Sequence, residues 1–338
     1  MSEVAPNGLG LLDDLIAGAS VREPMTHSDS KSGSTFERVV IDGEPFVVKY
    51  LDRRDDWTMR ASGQVEYAPV TMWRRGLLQH LPACFEQPIV GVANADVDGE
   101  VGMRIALLMR DVGEWMVPEG DEVLTLVVHL QLLDHLAALS AAFWGGGPHL
   151  EIVPMSNRYF ELSPLMAVTE ATLGSDAIVP RLVAEGWQRF PSEAPAAAEI
   201  VPALANDPSP LVARLEATPL TFVHGNWKLG NLGCTEDART VLIDWETPGL
   251  GTACSELAWY LAINSARLPH SKEATIDEFR NALERHGIET AAWWERQLGL
   301  ALLGGLVQFG WEKCLGGRNA ELEWWEARAV EGARYLRA

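Results

Sequence analysis

Over the first third of the chain, apolar and β-branched residues fall in short runs at 36–41, 46–50, 89–93 and 103–109, a pattern that predicts strands. Asp42-Gly43 joins the first two runs as a tight hairpin, and Asp96-Val97-Asp98-Gly99 is expected to join the last two in the same way. Between the pairs, Val70, Trp73, Leu77, Leu78 and Leu81 recur at helical spacing within 57–81. Pro69 lies inside that span, and its missing N–H places it in a first turn or splits the segment in two.

Past residue 109 the spacing becomes helical. Leu124, Val127, Val128, Leu132, Leu136 and Leu139 share one helical face over 123–144, which Gly145-Gly146-Gly147-Pro148 closes. Five prolines among small and acidic residues make 190–210 a loop with short helical pieces. Short strands follow at 220–223 and 240–243, and from Cys254 onward the pattern is helical. The fold class is therefore α+β, with a small β-rich unit at 1–110, a connection near 109–118, and a larger mainly helical unit at 111–338. Ligands commonly bind in the cleft between two such lobes.

Composition narrows the function classes. A chain of 338 residues, 47% of them hydrophobic, can fill a proper core. Cys84, Cys234, Cys254 and Cys314 lie too far apart to suggest a disulfide framework or a zinc site, and read as reduced thiols in the cytoplasm. No N-terminal segment joins a basic start to an apolar core, and the most apolar later run, 298–311, is short of the roughly 18 residues that span a bilayer, so no membrane association is expected. A net charge of -20 argues against nucleic-acid partners. It is compatible with a cationic small substrate, although a generally acidic, solvated surface is the better reading.

Candidate chemistry centres on Val223-His224-Gly225-Asn226-Trp227-Lys228-Leu229-Gly230-Asn231, followed thirteen residues later by Asp244-Trp245-Glu246. Transfer of a γ-phosphoryl group needs a cation on the phosphates, oxygen ligands for magnesium, and a group that orients the attacking hydroxyl. Asp244, after the strand at 240–243, offers a hard carboxylate, and Asn231 offers an amide oxygen from the preceding loop. Lys49 ends the apolar run Phe46-Val47-Val48-Lys49, where a kinase places its phosphate-contacting lysine, and Glu66 is the candidate partner for it. The polar loop ahead of the first strand includes Ser32, Gly33 and Ser34, small residues whose backbone N–H groups suit phosphate. With a single glycine it is not a Walker loop.

On these motifs the chain resembles the aminoglycoside phosphotransferase and choline kinase-like family, small-molecule kinases with a bilobal protein-kinase-like fold. The specific part is 224–231 with 244–246; Lys49 and Leu107-Leu108-Met109-Arg110-Asp111, matching the interlobe hinge, add order and context. The resemblance implies an ATP-dependent O-phosphotransferase that uses Mg2+ and a small hydroxylated acceptor. Lys49 would lie on the α- and β-phosphates, Asn231 and Asp244 on metal, and the backbone near Met109, Arg110 and Val112 on adenine, with His224 bracing the catalytic loop. One position departs from the family. Asn226 stands where the family has an aspartate, and an amide cannot take a proton as a base at neutral pH. Three readings follow: a kinase with a slowed hydroxyl-activating step, in which a carboxylate such as Glu246 substitutes as acceptor; a non-catalytic nucleotide-binding module; or an introduced replacement that keeps shape while removing the base.

Other signals are weaker. Trp293-Trp294 and Trp324-Trp325 read as core packing ahead of a substrate wall, and Glu321, Glu323 and Glu326 as a solvated helix face ahead of a reader of amines. His129, His135, His270 and His286 lack the spacing of a metal site.

Overall fold

Side-chain alternation along Glu44–Asp52 determines where Lys49 faces. The computed structural model describes residues 8–25, 33–95 and 103–337. Strands Val21–Met25 (β1), Thr35–Ile41 (β2), Glu44–Asp52 (β3), Phe85–Glu86 (β4), Ile89–Asn94 (β5) and Arg104–Arg110 (β6) build the first lobe, and all but β4 form one antiparallel sheet in the order β1-β2-β3-β6-β5. On one face of this sheet Val39, Val48, Ala93, Ala106 and Leu108 pack with Leu12 and Ile16 around the short helix Leu12–Leu15 (α1). On the other, Leu51, Ile89 and Leu107 join the main core. Because side chains alternate along a strand, Lys49 lies opposite Val48 and on the Leu51 face, which looks into the interlobe cleft. Its position in the sheet is central, with Phe36 and Leu107 as its neighbours across the two ladders.

The expected hairpin at Asp42-Gly43 is present, both residues taking positive φ (52° and 87°) as a two-residue turn between twisted strands requires. Its counterpart at 96–99 lies outside the described residues. Pro69 takes both of its expected roles: the 57–81 segment splits into Trp57–Ala61 (α2) and Ala68–Arg74 (α3), and Pro69 occupies the first turn of α3. Strand β1 was not expected. Its residues are mostly exposed and include Pro24, as suits an edge strand, so it lacks the apolar alternation by which strands are read.

The second lobe is helical: Leu126–Ala142 (α4), Met155–Phe160 (α5), Pro164–Thr172 (α6), Ile178–Glu193 (α7), Ile200–Asn206 (α8), Ser209–Glu216 (α9), Ala253–Ile263 (α10), Lys272–Arg285 (α11), Trp294–Leu315 (α12) and Ala320–Gly332 (α13). Helix α12 is apolar on all sides because α7, α8, α9, α10 and α13 surround it. The stripe expected on 123–144 is narrower than its spacing suggests: Leu132, Leu136 and Leu139 are buried, whereas Val123 and Val127 are exposed. The proline-rich 190–210 segment is more helical than expected, since α7 runs through Pro191 in its last turn and α8 and α9 follow closely.

Between α9 and α10 lie Thr221–Val223 (β7), Leu232–Cys234 (β8), Thr240–Leu242 (β9) and Gly249–Gly251 (β10). β7 pairs with β10, while β9 lies between β8 and β4, so the first lobe's chain contributes a parallel strand to the second. The lobes are also tied by charge, because Arg110 of β6 and Arg239 both pair with the buried Glu86. Beyond β6 the connecting segment runs against β8, with Val117 N–H donating to the Leu232 carbonyl at 2.9 Å.

Candidate active site

β7 ends at Val223 and delivers the loop that begins with His224. Gly225 has φ 82°, and a Cβ there would lie 2.1 Å from the Thr247 carbonyl oxygen, so the loop closes on the 247 turn only through glycine. His224 is fully buried. Its Nδ1 accepts the Asn226 N–H at 3.2 Å, which leaves Nε2 as the donor to the Ile243 carbonyl at 2.9 Å. Burial lowers the imidazole to about 4, with Asp244 opposing, so the ring is neutral at physiological pH. His224 therefore ties this loop to the segment just past β9 that carries Asp244.

A second brace had no spacing signal. Glu256, in the otherwise apolar helix α10, is buried and accepts the N–H groups of Gly225 (2.9 Å) and Trp227 (3.3 Å). Asn264, capping the same helix, accepts the Leu229 N–H at 3.0 Å. A lone carboxylate in a run such as Ala253–Ile263 was the available clue, since a buried acid needs donors.

Asn231 ends the loop, nearly buried, and spends its amide N–H2 on the Asn226 carbonyl at 3.0 Å. Its Oδ1 is left as an acceptor, and Asn231 and Asp244 line the same cleft. Asp244 sits just past β9 with φ 67°, an uncommon conformation for a residue other than glycine. Lys49 Nζ donates to Asp244 Oδ1 and lies 3.7 Å from Glu246 Oε1. Burial alone would push the Lys49 pKa down, but Asp244 and Glu246 outweigh it and hold the ammonium charged. Burial likewise pushes Asp244 up, and Lys49 and Lys228 more than reverse it. Glu246 goes the other way: burial and the neighbouring Asp244 carry it up to about 8.

This donor set fits magnesium. The ion takes hard oxygens, keeps several waters, and in phosphoryl-transfer sites is shared between one or two side chains and the substrate phosphates. Asp244 and the Asn231 amide oxygen supply that number, and the Lys49 ammonium on the Asp244 carboxylate shows that the position attracts a cation. Among the described residues no group of three or more His, Cys, Asp or Glu side chains is placed to hold a metal by itself.

Lys49, Asn226, Lys228, Asn231, Asp244 and Glu246 all line one interlobe cleft of about 410 Å3. Met109 lines it from the hinge, and Trp57, Trp259, Phe309 and Trp311 wall it from α2, α10 and α12. The tryptophan pairs are elsewhere: Trp294 and Trp325 are core residues, and Trp293 and Trp324 pack against the core. Lining carboxylates outnumber cations, with Glu119, Glu161, Asp244, Glu246 and Glu312 against Lys49 and Lys228.

Some sequence-predicted residues are placed differently. Glu66 does not partner Lys49; its carboxylate binds Thr71 and Arg74 within its own helical segment. The helix register behind this is set by Pro69 starting α3 only at residue 68, so Glu66 precedes the helix. The buried acid on the lysine's side is Asp56, which caps α2 by accepting the Met59 N–H at 3.0 Å. Arg110 turns away from the cleft, its N–H going to the Pro88 carbonyl and its guanidinium to Glu86. Val112 is buried at the hinge. Of the phosphate-loop candidates, Ser32 lies outside the described residues, Gly33 backs onto the Asp55 carbonyl, and Ser34 is buried; Phe36 is the residue of this segment that lines the cleft. Glu321 and Glu326 are not a solvated face, since they pair with Lys272 and Lys313 and with Arg318.

Residues 170–296 match the model of the phosphotransferase enzyme family, a span that includes 224–246. No curated protein matches the chain. Among solved structures, the microcompartment-associated aminopropanol kinase is 16% identical, with 94% of this chain and 93% of that one covered and a TM-score of 0.53, and it shares the bilobal kinase-like fold. An aminoglycoside phosphotransferase in ternary complex with ADP and hygromycin B is 15% identical over 96% of each chain at a TM-score of 0.47. The choline kinase LicA from Streptococcus pneumoniae is 12% identical over 96% of each chain at a TM-score of 0.46.

Proposed function

We propose that this chain, which carries the phosphotransferase-family match over residues 170–296, is an ATP- and Mg2+-dependent O-phosphotransferase acting on a small hydroxylated acceptor. The observation that carries this reading is the convergence of Lys49, Asn231 and Asp244, from a strand of one lobe and a loop and strand end of the other, on a single cleft. Separate structural needs would not bring a charged lysine, a hard amide oxygen and a carboxylate to one concave site between lobes.

In this reading Lys49 leaves Asp244 for the α- and β-phosphates when nucleotide enters, and Glu246 keeps the ammonium placed. Asp244 and Asn231 hold Mg2+, which supplies charge neutralisation at the phosphates. Backbone groups at Met109 and Val112 receive the adenine edge. Asn226, fixed by His224 and at the edge of the cleft, orients the acceptor hydroxyl by hydrogen bonding without taking its proton. Since positioning and electrostatics carry most of phosphoryl transfer, that arrangement retains a large share of the catalysis. The excess of carboxylates in the cleft supports an acceptor that bears positive charge.

Asn226 also favours a second reading, a nucleotide-binding module without turnover. The two separate in one experiment: ADP release from Mg-ATP against a panel of alcohols, amino alcohols and amino sugars, beside thermal-shift measurement with Mg-ATP. The enzyme reading predicts acceptor-dependent ADP release that Asp244→Ala reduces by at least about a thousandfold. Stabilisation by Mg-ATP with no turnover, in the native chain and in Asn226→Asp alike, would establish the module instead.

A further inference from the structure

Glu161 follows α5 and is about nine-tenths buried at 8% exposure, yet it lines the cleft together with Asn226, Lys228 and Trp259. Its backbone N–H bonds the Asn157 carbonyl, but its carboxylate has no hydrogen bond or ion pair given by any described residue. A largely buried carboxylate without a donor is costly if ionised, and such a group calls for a partner, here a ligand in the cleft that its side chain lines. The other acids near the reacting position are occupied: Asp244 holds Lys49, Asp56 caps α2, and Glu246 lies against Lys49. Among the described acids that line this cleft, Glu161 is the buried one with no donor from a described residue, whereas Glu312 pairs with Lys313.

We propose that Glu161 is the proton acceptor for the substrate hydroxyl, replacing the aspartate that Asn226 displaces. This inference rests on the phosphotransferase reading. The acceptor's O–H bond breaks and its proton passes to a Glu161 oxygen, while the acceptor oxygen bonds to the γ-phosphorus of ATP. The bond from that phosphorus to the β–γ bridging oxygen breaks, and the bridging oxygen leaves on ADP with the electron pair; the Glu161 proton is then lost to water. Asn226 donates a hydrogen bond that holds the acceptor oxygen, so orientation and proton removal are divided between two residues.

The surroundings suit a base. Burial, Glu246 and Asp56 raise the Glu161 carboxyl to about 8, against opposition from Lys228 and Arg158, and Glu119 and Glu312 lie on the same cleft. A base is most effective when its pKa is near the working pH. The Glu246 substitution considered from the sequence is less suited, because its carboxylate faces the phosphate-binding lysine.

The test is a double-mutant cycle at pH 8 with Mg-ATP, using water as acceptor (intrinsic ATP hydrolysis) and the best acceptor from the panel. Glu161→Gln is expected to lower kcat about a hundred- to a thousandfold while the KM for ATP and the Mg-ATP thermal shift stay within about twofold. Adding Asn226→Asp to that variant restores kcat to within about tenfold of the native chain, a rescue that loss of packing would not allow. If Glu161→Gln does not fold, Asn226→Asp alone decides: it raises kcat less than about threefold where Glu161 already acts, and a hundredfold rise overturns the proposal while leaving the phosphotransferase reading standing. An unchanged kcat with a raised acceptor KM in Glu161→Gln also overturns it, marking an anchor for a substrate cation. Silence of the native chain and of Asn226→Asp together ends both.

Discussion

Asn226 is held through its backbone in the loop between β7 and β8. Its N–H reaches His224 Nδ1 and its carbonyl receives the Asn231 amide. Asn226, Asn231 and Asp244 were legible because they sit at close spacings in short motifs. Those that support them were not. Glu256, Asn264, Asp56 and Glu161 come from elements remote in sequence, and only the folded chain brings them to the loop. Glu256 is the most consequential of these, and Glu256→Ala would strip buried Gly225 and Trp227 N–H groups of their acceptor. We expect a loss of about 2–4 kcal/mol in urea unfolding with a matching loss of turnover. Glu256→Gln, which keeps one acceptor oxygen, should lose less than half as much; equal losses would show that charge and not hydrogen bonding matters there.

Among the elements, the strands and long helices followed from periodicity, whereas edges and breaks did not. β1 escaped because an exposed edge strand shows no alternation, and α7 ran through Pro191 because a proline in a last turn removes few helical bonds. Glu66 was misassigned for a related reason: the segment's apolar spacing is continuous across 57–81, but Pro69 starts a new helix and resets which residues face Lys49. The loop between β7 and β8 depends on Gly225 in a conformation and a space that exclude a side chain. Gly225→Ala should therefore cost more than about 2 kcal/mol and abolish the Mg-ATP thermal shift. Retention of native nucleotide binding by that variant would mean that the loop tolerates a different path.

For the whole molecule, the two lobes meet at a cleft where acids outnumber bases, and that imbalance is expected to set how stability responds to pH. An ordinary glutamate has a pKa of about 4.5, whereas burial holds Glu161 and Glu246 up to about 8. Between those values the folded chain binds more protons than the unfolded one, so their contribution to stability is complete below about 4.5 and is lost as pH rises through about 8. Glu161→Gln removes one such group, and its Tm relative to the native chain should become more favourable from about pH 5 to about pH 8 and level off above that. A constant offset across that range would show that Glu161 is not charged with difficulty in the fold. Among the described residues no helix is long and apolar enough to cross a membrane. The central claim is that this cleft moves a phosphoryl group from ATP to an alcohol, and phosphorus NMR of ATP, Mg2+ and the acceptor panel observes that event itself. The account predicts loss of the γ-phosphate resonance with a new phosphomonoester resonance, dependent on Asp244; an unchanged γ-phosphate with the native chain and with Asn226→Asp would contradict it.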